Sequence, residues 1–225
     1  MKKVMGSNIF ITGTDTDAGK SYVSVALLQG LASLGHSALG FKPVAAGVDA
    51  EGKNTDALQL QAASTKQLAY ETVNPILFAE PCAPHLVGNI DETALQSWVD
   101  ELSHIVADVK LIEGAGGWLL PIAAERYLAD WVVENQWPVI LVVGMKLGCL
   151  NHAMLTFREL QRSGVPLIGW VANQIDPDML RFEDNLNDLQ QRLTIPFLGL
   201  LPYAPAGVSP SNAKAIATKM CQQIF

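Results

Sequence analysis

Asn8-Ile9-Phe10-Ile11-Thr12-Gly13-Thr14-Asp15-Thr16-Asp17-Ala18-Gly19-Lys20-Ser21 decides the fold. Its first five residues form a short apolar run with strand character. Tyr22 to Ala32, immediately after it, reads as a helix. Strand, glycine turn, Gly-Lys-Ser and helix are the setting of a phosphate-binding P-loop. The physics suits a polyphosphate: backbone N–H groups of the turn and of the first helical turn face the anion, and the helix dipole favours negative charge there. Lys20 would reach the β/γ-phosphates, and the Ser21 hydroxyl would hold Mg²⁺, which takes few protein ligands. Five residues separate Gly13 from Gly19, one more than the usual Gly-x4-Gly-Lys-Ser/Thr spacing. The bland alternative is a glycine turn that merely starts a helix. The strand-to-helix switch favours the phosphate site.

Short apolar runs alternate with helical runs along the rest of the chain. Strands are expected at 38–41, 109–112, 138–143, 165–172 and 197–200. Helices are expected from Asp56 to Ala63, after the Asp91-Glu92-Thr93 cap, at 127–135, from an Asn151 cap to Ser163, at 178–193 and from Asn212 onward. Residues 70–90, rich in Pro and turn residues, read as a long loop. Nearly all-apolar strands separated by helices predict an α/β, mostly parallel sheet with helices on both faces. In such sheets the ligand lies beyond the carboxyl ends of the strands. The residues to inspect there are the P-loop, Lys42, Glu113, Lys146, Asn173 and Pro202.

The 225 residues suit one P-loop α/β domain over 1–225. Hydrophobic residues make up 49% and charged ones 16%, which excludes disorder. The net charge is −7 and no basic run exceeds Lys2-Lys3, which argues against a nucleic-acid partner. No apolar segment is long enough for a signal peptide or a membrane span. Cys82, Cys149 and Cys221 are odd in number and widely spaced, as expected of reduced cytoplasmic thiols.

Glu113 follows the expected strand Val109-Lys110-Leu111-Ile112 and precedes Gly114-Ala115-Gly116-Gly117, which would let backbone approach a ligand. An acid there suits a second Mg²⁺ contact; otherwise it caps a strand. Asp56 reads as a helix cap or as a metal or water ligand. Lys42 precedes Pro43, whose fixed φ stiffens the turn and would aim the ammonium at a transferring phosphoryl group. A solvated strand-end lysine is the other reading, and Lys42→Ala is expected to leave the fold intact. Lys146 is placed similarly after a later strand. Asn173-Gln174-Ile175-Asp176 resembles the guanine-reading Asn-Lys-x-Asp, with Gln174 for lysine, but the Asn173 amide could equally read adenine. His36, His85, His104 and His152 lack metal-ligand spacing, and the five tryptophans read as core or interface.

Five ordered stretches together resemble the dethiobiotin synthetase family: 13–21, Gly-Phe-Lys-Pro-Val-Ala at 40–45, Glu-Gly-Ala-Gly-Gly-Trp at 113–118, 142–153, and Gly-Trp-Val-Ala-Asn at 169–173. That family has the five-residue P-loop spacing. The resemblance implies ATP- and Mg²⁺-dependent carboxylation and ring closure of 7,8-diaminopelargonic acid with CO₂ or bicarbonate, through a carbamate and a carbamic–phosphoric anhydride. It implies Lys42 and Lys20 as catalytic residues and Ser21, Asp56 and Glu113 as Mg²⁺ ligands. It places nucleotide contacts at Asp17, Ala18, Gly19, Lys20, Ser21, Tyr22, Gly114, Ala115, Gly116, Asn173, Gln174, Pro202, Tyr203 and Ala204. It also implies a homodimer whose substrate meets Ala46, Lys146, Gly148, Cys149, Leu150 and Asn151, the last of these opening a helix suited to a carboxylate.

The sequence departs from that family at two places. Ala46 stands where the family usually has serine, removing a hydroxyl that would touch the substrate. Beyond Tyr203, Ala204 to Val208 supply no acid for the ribose, pointing to looser nucleotide selectivity. Three other readings compete: a ligase of the same fold acting on another small acid, a GTPase built on Asn173–Asp176, and a dimeric ATPase switch. The last usually has a further lysine early in the P-loop, and Thr14-Asp15-Thr16 supplies none.

Overall fold

The computed structural model describes residues 7–88, 90–205 and 212–225. The Lys2-Lys3 pair and the Ala206–Val208 part of the ribose-side stretch lie outside the described residues.

The chain runs β1 (Ser7–Gly13), α1 (Lys20–Ser33), β2 (Ala38–Phe41), β3 (Val44–Ala46), α2 (Thr55–Ala63), α3 (Tyr70–Val73), β4 (Ile76–Phe78), α4 (Pro84–Val87) and α5 (Glu92–His104). It continues through β5 (Val109–Glu113), β6 (Pro121–Ala123), β7 (Arg126–Tyr127), α6 (Leu128–Glu134), β8 (Val139–Met145) and α7 (Cys149–Ser163). It ends with β9 (Leu167–Gln174), α8 (Phe182–Arg192), β10 (Phe197–Leu201) and α9 (Ala213–Ile224). Six strands form one sheet in the order β10-β9-β8-β1-β5-β2. Every pairing within it is parallel. Every residue of β5 and β8 is buried, Lys110 and Glu113 of β5 included, so β8 reads as an unbroken apolar run rather than as alternation.

Helices cover both faces. On one, Val23, Leu27, Leu28 and Leu31 of α1 pack with Ala217 and Met220 of α9 and Leu60 of α2. On the other, Trp98, Leu102, Trp131, Val132, Phe157 and Leu186 come from α5 to α8. Burial at about 25 cal/mol per Å² of apolar surface is the main stabilising term. All five tryptophans are buried, and Trp131 meets Trp137 edge-on at 4.6 Å. Among the described residues, no helix is long and apolar enough to cross a membrane.

Several elements differ from the sequence expectation. Residues 70–90 hold α3, β4 and α4, and β4 pairs in parallel with β3 as a separate ribbon. These elements are only three or four residues long, too short for periodicity to show. The cap of α2 is Asn54, whose side chain accepts from Ala57 N, so Asp56 lies inside the first turn. Helix α7 begins at Cys149 after Gly148 at φ 94°, so Asn151 is its third residue and not its cap. Asn173 and Gln174 are still in β9. Helix α8 starts only at Phe182, because Arg181 is left-handed at φ 57°.

Candidate functional site

Strand register assembles the site. Ile11 of β1 stands opposite Glu113 of β5, and Phe41 of β2 opposite Ile112, so Lys42 leaves β2 beside Glu113. The P-loop leaves β1 at the same sheet end. On its other side β8 continues into Lys146, and Gly144 N donates to Thr14 Oγ1 at 3.4 Å. Gly19 sits at φ 86°, and a Cβ there would meet Asn173 Nδ2 at 1.9 Å. Only glycine fits that turn.

At the centre, Lys42 Nζ lies 2.6 Å from Glu113 Oε1, 2.9 Å from the Gly114 carbonyl and 3.5 Å from Asp56 Oδ2. The Ser21 hydroxyl donates to the same Glu113 Oε1 at 2.7 Å. Lys42 is 4% and Glu113 1% exposed, so the solvated-lysine reading is overturned. Burial draws the Lys42 pKa down, but the carboxylates of Glu113 and Asp56 outweigh it and the net shift is upward. Lys20 Nζ donates to the carbonyls of Gly116 at 2.6 Å and Asp15 at 3.2 Å. Its pKa falls to about 8, chiefly through burial and then through the charge of Lys42, against the raising effect of Glu113, Asp56 and Asp17.

Ser21, Asp56 and Glu113 suit Mg²⁺. Glu113 Oε2 is buried without a hydrogen-bond partner, a lone pair that a cation would satisfy. Among the described residues no three His, Cys, Asp or Glu side chains gather. Two carboxylates and a hydroxyl fit an ion held mainly by phosphates and water.

Two cavities meet at Gly19. One of about 660 Å³ is walled by Lys20, Lys42, Ala46, Asp56, Glu113 and the segment Pro81–Pro84, and it also receives Asp17, Ser21, Ala115 and Gly116. The other, about 560 Å³, is walled by Tyr22, Asn173, Gln174, Tyr203 and Ala204. Pro202 directly follows β10 and lines neither cavity. Asn173 Nδ2 donates to the Ala18 carbonyl at 3.0 Å, leaving its buried Oδ1 without a partner. Tyr203 N donates to Gln174 Oε1 at 3.4 Å. Lys146, Gly148, Cys149, Leu150 and Asn151 line neither cavity. They run along the other side of the P-loop, where Lys146 Nζ reaches Asp15 Oδ2 at 3.0 Å and holds that carboxyl below its usual range. Sequence reasoning missed Asn54, Leu120 and Pro81-Cys82-Ala83-Pro84 as cavity wall. Two prolines in four residues were the available signal of a stiff wall.

A parallel sheet with a glycine turn leading into a helix, and with two buried lysines against an acid at its carboxyl end, defines a P-loop nucleotide-binding α/β protein. The AAA domain family matches residues 7–211. Among solved structures, the Aquifex aeolicus MinC:MinD cell division protein complex aligns at TM-score 0.62 and 16% identity. The alignment covers 97% of this chain and 95% of that one. The ParA family ATPase from Chlorobium tepidum aligns at TM-score 0.56 and 12% identity, over 97% and 94%. These show the fold. The ATP-dependent dethiobiotin synthetase BioD 1 of Salmonella typhimurium is 45% identical over 216 residues, 93% of this chain and 94% of that protein. The ATP-dependent dethiobiotin synthetase of Pseudoalteromonas translucida is 46% identical over 205 residues, 87% and 89%. The chain belongs to the dethiobiotin synthetase family.

Proposed function

We propose that this chain, acting as one P-loop α/β domain, is a cyclo-ligase that uses ATP to convert 7,8-diaminopelargonic acid and CO₂ to dethiobiotin. Family membership supports the reaction. The observation that carries the chemistry is the pair of buried ammonium groups, Lys20 and Lys42, on one cavity wall with Glu113 and Asp56. The reaction brings two anions together, a carbamate and the γ-phosphoryl group of ATP, and fixed cations offset that repulsion.

One amine of the diamine takes up CO₂ and loses a proton to give the carbamate. A carbamate oxygen attacks the γ-phosphorus, ADP leaves, and a carbamic–phosphoric anhydride remains. The second amine attacks the carbamoyl carbon, and phosphate leaves as the ring closes. Lys20 holds the β/γ-phosphates and Lys42 the developing charge between carbamate and phosphorus. Ser21, Asp56 and Glu113 would hold Mg²⁺, which supplies charge neutralisation on the phosphates. The base occupies the cavity walled by Tyr22, Asn173, Gln174, Tyr203 and Ala204. The unpartnered Asn173 Oδ1 suits the amino group of adenine, whereas guanine presents an acceptor there.

The substrate carboxylate sits at the start of α7, over Gly148 to Asn151 with Lys146, contributed by a second copy of the chain in a homodimer. Leu147, 92% exposed, and Leu155, 61% exposed, lie on that flank and support a partner there. The enzyme acts in the cytoplasm, where ATP and reduced thiols such as Cys149 and Cys221 belong.

The test is phosphate release from MgATP and bicarbonate with and without 7,8-diaminopelargonic acid, with mass spectrometry of the product. Diamine-dependent release with a cyclic urea product is expected. Nucleotide binding without it would move the chain to another acid substrate or to a switch ATPase.

A further inference from the structure

A chain of hydrogen bonds runs behind the wall that carries Lys42 and Asp56, linking the α2 cap Asn54 through Tyr70 and Asn74. The backbone N–H of Asn54, the cap of α2, donates to Tyr70 Oη at 2.7 Å. Tyr70 Oη donates to Asn74 Oδ1 at 2.9 Å. Asn74 Nδ2 donates to the Lys42 carbonyl at 2.6 Å and to the Ile76 carbonyl at 3.2 Å. From the other end, Asn54 Nδ2 donates to the Gly47 carbonyl at 3.0 Å, beside Ala46. Asn54 and Asn74 are 8% and 4% exposed, so the exchange with solvent that would blur such contacts is largely shut off.

Three segments of the site are tied by this relay: the end of β2 at Lys42, the turn after Ala46, and the first turn of α2 that presents Asp56. None of these segments pairs with another in the main sheet beyond β2 itself. Asp56 lies two residues beyond the pinned backbone N–H of Asn54, and its carboxylate stands 3.5 Å from Lys42 Nζ. The Tyr70 hydroxyl uses both its acceptor and its donor capacity in the relay, which fixes the ring's tip and the α2 cap together.

We propose that Tyr70 and Asn74 are positioning residues that set the placement of Asp56 against Lys42, and thereby the metal–nucleotide affinity of the site. This rests on the reading of Asp56 and Lys42 given under the proposed function. Partners one shell out from a metal site typically change its affinity by about 10–100-fold when removed.

The experiment measures Mn²⁺ affinity of the ADP complex by the spin resonance of free Mn²⁺, for the parent, Tyr70→Phe, Asn74→Asp, Asp56→Asn and the Tyr70→Phe/Asp56→Asn double variant, with thermal melting of each. Tyr70→Phe keeps the ring and Asn74→Asp keeps the acceptor for Tyr70, so one failing to fold leaves the other to read. Expected is an affinity about tenfold weaker in Tyr70→Phe, with no further loss when it is added to Asp56→Asn. Unchanged Mn²⁺ affinity with only a lowered melting temperature, or losses that add in the double variant, would overturn the inference. Lack of diamine-dependent phosphate release in the parent would sink the proposed reaction instead, while the Mn²⁺ comparison still decides the role of Tyr70.

Discussion

Lys42 and Glu113 form an ion pair of 2.6 Å at adjacent strand ends, with both side chains almost wholly buried. Removing one partner of such a pair strands the other charge in a medium that solvates it poorly. Lys42→Ala therefore costs stability as well as chemistry, against the expectation drawn from its place at a strand end. Urea unfolding should show a loss of about 3 kcal/mol or more, and turnover should fall at least about tenfold. Lys42→Met combined with Glu113→Gln should recover stability but not turnover. Parent-like stability of Lys42→Ala would mean that Glu113 finds another cation.

Lys20 titrates near 8 because it is buried beside a second ammonium. Polyphosphate favours its charged form, so nucleotide binding takes up protons where the free protein has begun to lose them. Calorimetry of ATP binding in buffers of differing ionisation enthalpy should find uptake of roughly half a proton at pH 8, fading by about pH 6.5. Lys20→Met should abolish it. The linkage to folding has the opposite sense from a salt-bridged lysine. Between about 8 and the unfolded value of 10.5 the unfolded chain holds a proton that the folded one has released, so this group's contribution makes stability rise with pH there.

Gly19→Ala should lose nucleotide binding by more than about tenfold and destabilise the protein by about 1–3 kcal/mol. The Cβ would collide with Asn173 Nδ2, and φ 86° is strained for any L side chain. In an Asn173→Ala background the collision disappears and only the backbone strain remains, so the stability cost of Gly19→Ala should shrink. A full cost in both backgrounds, read by urea unfolding, would assign it all to φ.

Lys146 and Asp15 form a half-exposed pair, worth less than about 1 kcal/mol to the fold. If Lys146 helps to receive the substrate carboxylate, Lys146→Ala should raise KM for 7,8-diaminopelargonic acid about tenfold, as expected for one charge-assisted hydrogen bond. The melting temperature should barely move. An unchanged KM would remove Lys146 from substrate binding and leave it as a brace on the P-loop.

The stretch 8–21 by itself determined the P-loop, because glycine conformational freedom, the Gly-Lys-Ser run and an apolar strand are local properties of a few consecutive residues. Run length and composition likewise determined a parallel sheet, since strands buried on both faces leave no alternation. Tertiary structure alone decided the strand order, and with it that Lys42 and Ser21 converge on the Glu113 carboxylate. They lie 71 and 92 residues from it along the chain. No local pattern encodes which strand lies next to which; that follows from packing both faces at once. The burial of Lys42, the glycine cap that starts α7 at Cys149, and the Asn54–Tyr70–Asn74 relay were illegible for the same reason. A tyrosine in a turn-rich segment has no periodicity, and its hydroxyl joins the Asn54 backbone to the Asn74 side chain only once the cap of α2 is folded against α3.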